Sequence, residues 1–289
     1  MKQIVPLITT VLLFLSSLPA LAQSPIPVVV TLPVLKDFAE QVGRDHVSVH
    51  SVITGLESEH AYTPRPSDIR MIQKARLFVT MGVGLDRWVE PLVKNADRPD
   101  LHRVVASSRV PLMRGDPHIW LDPENAVMMI RNITEGLAQI DPGHREAYHQ
   151  NAAEYIGVLE QLTQTLKIKV SALPAHARKI VTHHQGWSYF ARRFGFEIIG
   201  EILTHLETEG GAEPSAKQMG ALVRLMRREK AGVIISEPQY NAKMPEALAG
   251  ETGARLIVLS LMPGTSKKTE AYLTLMRYNV ETLVNALRG

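Results

Sequence analysis

The stretch D-P-G-H-R-E-A-Y-H-Q-N-A-A-E-Y-I-G-V-L-E-Q-L-T-Q-T-L-K-I-K-V-S-A-L-P, residues 141–174, decides how the rest of the chain is organised. Asp141 is a good helix N-cap and Pro142 suits the first helical position. Apolar residues then recur at Tyr148, Ala152, Tyr155, Leu159, Leu162, Leu166, Val170 and Leu173, in steps of three and four, until Pro174 stops them. A helix of about 32 residues at about 1.5 Å each makes a rod near 48 Å, long enough to run the length of a two-lobed molecule.

On both sides of the rod, strand-like runs alternate with helical patterns. They are 27–31, 46–53, 75–81 and 102–106 before it, and 179–182, 197–203, 232–236 and 255–259 after it. Short β-branched runs separated by helices predict parallel sheets. The halves echo each other. R-P-S-D-I-R-M-I-Q-K-A-R-L-F-V-T from Arg65 reads as proline, Ser67 as N-cap, helix, then buried strand. E-P-S-A-K-Q from Glu213 opens the same way, with Ser215 and Gln218 as a capping box. The expected fold class is α/β, with two Rossmann-like β/α lobes of parallel sheets joined by one long rigid helix. The expected divisions are residues 23–140, 141–174 and 175–289.

Residues 1–22 have a positive start at Lys2, an apolar run through Val11 to Leu18, and the small-x-small site Ala20-Leu21-Ala22. That pattern predicts a secretory signal peptide cut before Gln23. The sequence holds no cysteine, so neither a disulfide nor a lipid attached behind the signal is expected, and the reading is a periplasmic protein without a lipid anchor. A net charge of +3 is mild, and the basic cluster 224–230 carries a glutamate, which argues against nucleic acid as a partner.

Eleven histidines are present. Most lie on helix faces or beside strands, where a single partly buried ring is ordinary, and His205 sits in a glycine-rich stretch. Three share a position: His60, His118 and His184 each follow a predicted strand. In open α/β sheets ligands bind outside the carboxyl ends of strands, so residues from two lobes can meet in one cleft. Neutral imidazoles favour a transition metal, zinc above calcium or magnesium.

The sequence resembles the metal-binding solute receptors of bacterial ABC importers, the family serving zinc, manganese and iron uptake. The likeness spans essentially the whole mature chain. V-V-V-T-L-P-V-L-K-D-F-A-E-Q-V-G is similar to the family's opening strand and helix, E-H-A-Y-T-P-R-P-S-D to its first ligand motif, D-P-H-I-W-L-D-P to its second, and T-H-H-Q-G-W-S-Y-F to its third. A-Y-L-T-L-M-R-Y-N-V-E-T-L resembles its last helix. The resemblance implies metal-ligating histidines at His60, His118 and His184, two lobes joined by a rigid helix, and a membrane permease with its ATPase as partners. A monomer is expected.

Within D-P-H-I-W-L-D-P, Asp116 is expected to aim His118 through its second ring nitrogen, and Asp122 with Pro123 to start a helix running to Ile140. His183, next to His184 in a strand, should face the other way and is a substitute ligand only. The pattern departs from the family at Ser260, which stands where the family carries an aspartate ligand. The fourth donor is then Glu59, water, or another residue such as Glu237, whose plainer role is lobe packing. Losing that aspartate favours Zn2+ over Mn2+. Three readings besides zinc uptake stay open: the same role for Mn2+ or Fe2+, a periplasmic metal chaperone, and a zinc hydrolase with an open coordination position. Against the last, no H-E-x-x-H motif or partnered general base is present, so no enzyme is expected.

Overall fold

The computed structural model describes residues 24–288 except 56, 61, 114 and 204–212. The expected signal peptide and His205 lie outside the described residues. The order is β1 (Ile26–Val30), α1 (Pro33–Gly43), β2 (Val47–Ser51), α2 (Pro66–Lys74), β3 (Leu77–Thr80), α3 (Val89–Ala96), β4 (His102–Val105), α4 (Pro123–Ile140), α5 (Arg145–Ser171), β5 (Lys179–His184), α6 (Ser188–Phe194), β6 (Glu197–Leu203), α7 (Ala216–Glu229), β7 (Val233–Ser236), α8 (Lys243–Thr252), β8 (Arg255–Val258) and α9 (Tyr272–Arg288).

The strands form two four-stranded sheets, ordered β2-β1-β3-β4 and β6-β5-β7-β8, with every pairing parallel. The two orders are the same topology, which the echo between Arg65 and Glu213 predicts. In each sheet the order reverses beside the first strand, β1 or β5, the place where a doubly wound sheet opens a crevice at its carboxyl edge. The central strands β3 and β7 are buried along their whole length, the mark of strands covered on both faces.

One hydrophobic core runs through both halves. It joins Val28, Phe38 and Phe78 of the first to Ile180, Phe190, Ile235 and Leu283 of the second, through Leu159, Leu162 and Leu166 of α5. A smaller cluster, including Leu222, Met226 and Leu248, fills the space between the second sheet and helices α7 and α8. Among the described residues no helix is long and apolar enough to cross a membrane.

Two boundaries differ from expectation. Pro142–His144 forms a 3-10 turn and the long helix begins at Arg145, giving 27 residues, about 40 Å. The reason is Asp141: its Oδ2 accepts from Tyr148 Oη at 2.6 Å and pairs with His144 Nδ1 at 2.7 Å, so the carboxylate is spent on side chains and does not cap the backbone. At α2 the N-cap is Arg65, not Ser67. Pro66 takes the first helical position, and the Arg65 amide donates to Asp68 Oδ2 at 2.7 Å. The Ser215–Gln218 capping box and the start of α4 behind Asp122 form as read from the sequence.

Candidate metal centre

Glu59, His60, His118 and His184 offer one ligand atom each, and these atoms lie within 4.8 Å of one another. Glu59 and His60 occupy the turn that follows β2; Trp88 Nε1 donates to the Glu59 carbonyl at 3.3 Å and so ties that turn to the first lobe. His118 sits in the connection from β4 to α4. His184 is the last residue of β5, which runs two residues further than expected. The ring centroids of His60 and His118, and of His118 and His184, are 5.2 Å apart; those of His60 and His184 are 6.3 Å apart. Glu59, His118 and His184 are each at most 1% exposed, while His60 is partly buried and lines a cavity of about 390 Å³ with Val83, Arg87, Leu112 and Met113.

Two of the rings are held from behind by carboxylates. Asp116 Oδ1 lies 2.8 Å from His118 Nδ1 and accepts from the His118 amide at 2.9 Å; its Oδ2 accepts from the Ser188 amide at the start of α6. Glu237, just past β7, has Oε1 3.1 Å from His184 Nδ1 and accepts from Trp187 Nε1 at 2.5 Å. Each Nδ1 is thereby engaged and each Nε2 is turned toward the cluster, the carboxylate–imidazole arrangement that orients a metal ligand. His118 Nε2 is 3.1 Å from Glu59 Oε1; the buried His184 Nε2 has no hydrogen-bond partner. Gly186 lets the backbone close on these rings, since a Cβ there would lie 2.7 Å from His184 Nε2.

Burial disfavours charge on both His118 and Glu59, yet each is held charged by the other. For Glu59, the hydrogen bond and charge of His118, with the charge of His60, outweigh burial and bring the carboxyl down to about 2. For His118, burial is outweighed by hydrogen bonds to Asp116 and Glu59 and by their charges, and the imidazole is pushed up to about 9. Without a cation the centre stores a proton on His118.

Two sequence candidates stand elsewhere. His183 points away, its Nδ1 3.2 Å from Ser236 Oγ, and burial keeps its ring neutral. The Ser260 hydroxyl is folded into its own loop, donating to the Met262 carbonyl at 2.8 Å and accepting from Thr265 Oγ1 at 2.9 Å. The sequence reading missed Trp187 and Tyr240, whose ring lies 5.1 Å from that of His184. Trp187 lies within the third motif, three residues past His184, but only the fold shows its indole reaching Glu237; Tyr240 follows no motif.

Two parallel-sheet lobes with imidazoles and a carboxylate converging at their seam define a metal-binding solute receptor. The chain belongs to the family described as zinc-uptake complex component A, periplasmic, which matches residues 28–286. It is 28% identical to the iron-binding protein YfeA of Yersinia pestis, over 89% of this chain and 84% of that one. It is 26% identical to the manganese-binding lipoprotein MntA of Halalkalibacterium halodurans, over 90% and 88%. A solved crystal structure of ZnuA superposes with a TM-score of 0.81 at 25% identity, covering 91% of this chain and 99% of that chain. MntA is named a lipoprotein, whereas this sequence contains no cysteine.

Proposed function

We propose that this chain is the periplasmic zinc receptor of an ABC importer. It captures Zn2+ with His60, His118, His184 and Glu59 and hands it to a membrane permease driven by its ATPase. The observation that carries the reading is the convergence of three imidazoles and one carboxylate, a donor set that suits tetrahedral Zn2+. Mn2+ sites favour more oxygen donors, and the oxygen that an aspartate would bring is replaced here by a Ser260 hydroxyl bonded within its loop. Asp116 and Glu237 act as positioning residues, fixing the tautomer and aim of His118 and His184.

No bond is made or broken in the cargo. The work is ligand exchange: the cation displaces a proton from His118, and four side chains replace its water. The four donors account for a closed tetrahedral set, which leaves no position for the bound water that a zinc hydrolase needs. The lack of cysteine supports a receptor free in the periplasm rather than lipid-anchored. The test is competitive titration of the metal-free protein with Zn2+, Mn2+ and Fe2+ against chelators of known affinity. The reading expects one Zn2+ per chain, bound more tightly than Mn2+, with binding lost in His118→Ala. Equal or tighter binding of Mn2+ would overturn the zinc assignment.

A further inference from the structure

Tyr240 lies beside the metal centre and has no role in the ligand set. It ends a turn begun at Glu237, closed by the Tyr240 amide donating to the Glu237 carbonyl at 3.2 Å, with Pro238 at the second position, where proline favours the bend. The turn brings the Tyr240 ring back over the end of β5, 5.1 Å from the ring of His184 and 5.3 Å from that of His183. Its hydroxyl is buried and makes no well-formed hydrogen bond. That oxygen lies beside Ser58 and the Glu59 carboxylate, across the seam in the other lobe. A buried hydroxyl short of a well-formed bond is unfavourable, so a small approach of the two sides that completes the one to Ser58 is favoured. Ser58 immediately precedes Glu59 and His60, and any force on Ser58 acts on both.

We propose that Tyr240 is the latch of the cleft: with a cation bound, its hydroxyl bonds to Ser58, holds the Glu59–His60 turn against the lobe that carries His184, and slows release of the ion. The inference rests on the ligand set proposed above and adds a positioning residue to it. Tyr240 touches no metal; its ring backs His184 and its oxygen reaches the neighbouring turn. Loss of the hydroxyl alone is therefore expected to change how fast the ion leaves and not the way it is held.

The experiment is a chelator jump on the mature chain loaded with Co2+, followed by stopped-flow absorption, for wild type, Tyr240→Phe, Ser58→Ala and the double variant. Tyr240→Phe and Ser58→Ala should each release the ion about tenfold faster, the weight of one hydrogen bond. The double variant should be no faster than either single one, because both remove the same contact. The visible Co2+ bands should stay where they are in wild type. Release from Tyr240→Phe at the wild-type rate, or single effects that multiply in the double variant, would overturn the latch. So would Co2+ bands that shift in Tyr240→Phe, since the hydroxyl would then act on the coordination itself. Ser58→Ala reads the latch from the other lobe, should the tyrosine variant fold poorly. The ligand set is judged separately: wild type lacking four-coordinate Co2+ bands would contradict that set, an outcome that a missing latch cannot produce.

Discussion

At the scale of single residues, the centre is a proton store as much as a metal site. With His118 pushed up to about 9, the metal-free protein at neutral pH carries a proton that the cation must displace. Affinity should therefore rise about tenfold per pH unit up to about 9, rather than level off near the ordinary histidine value of about 6.5. Calorimetric titrations at pH 7.5 in buffers of different ionisation enthalpy should show close to one proton released per ion; heats independent of buffer would contradict this. The metal-free protein has the linked dependence. A raised imidazole contributes stability that is fully present below about 6.5 and lost as pH rises through about 9, so its thermal midpoint should fall across that window. Asp116→Ala removes the acceptor behind His118, and metal affinity should drop roughly 10–100-fold in competitive titration, the usual weight of such a partner. His60, His118 and His184 were legible because each comes after a strand-like run and lies inside a stretch similar to a family ligand motif, and Glu59 because it neighbours the first of them. Tyr240 was not legible, since its place depends on a turn and a sheet order that no local pattern encodes; Trp187 stood in the third motif, but its bond to Glu237, 50 positions away, did not show there.

Among the elements, the join between α6 and α4 holds the two lobes in register beside the site. Asp122, fully buried, caps α4 by accepting from the Glu124 amide at 3.0 Å. Arg193 of α6 clasps the same carboxylate with Nε at 2.6 Å and Nη2 at 3.0 Å, and also pairs with Glu124. The guanidinium fork is what makes this contact bidentate. Arg193→Ala would leave the buried Asp122 carboxylate with only the longer contact from Arg192 Nη2 at 3.3 Å and should cost about 3 kcal/mol in denaturant unfolding. Asp122→Asn in the same background should add little or recover part of the loss, because it removes the buried charge left short of a partner; additive losses would show that the two residues are not coupled. The cap half of this arrangement was readable from Asp122-Pro123, but the clasp was not, as the partners are 71 positions apart. Likewise the period of α5 was plain, while its first turn was misread because Asp141 bonds to His144 and Tyr148 instead.

For the whole molecule, one core passing through both lobes and α5 makes independent lobe motion costly. The seam is stitched on one side by Ser188 to Asp116 and by Tyr189 Oη accepting from the Met113 amide at 2.6 Å. Behind the site, Trp120 Nε1 donates to the Leu261 carbonyl at 2.7 Å and Tyr272 Oη to the Trp120 carbonyl at 2.5 Å. The connection carrying His118 is thus bound to both halves. Metal exchange is then a local opening at the Glu59–His60 turn, the side with the cavity and the most accessible ligand. Unfolding should follow one cooperative transition by calorimetry, with calorimetric and van't Hoff enthalpies equal; two separate lobe transitions would contradict the shared core. The two-lobed plan was legible from strand spacing and the long helix, but the continuity of the core was not, because it depends on the returning α9, whose Tyr272 ring packs 4.9 Å from that of Phe38.

The most direct measurement is anomalous diffraction at the zinc edge from crystals of the metal-loaded protein. The account predicts one peak within about 2.0–2.2 Å of nitrogens of His60, His118 and His184 and of an oxygen of Glu59. A peak that any of the three histidines cannot reach, or none at the seam of the lobes, would contradict it.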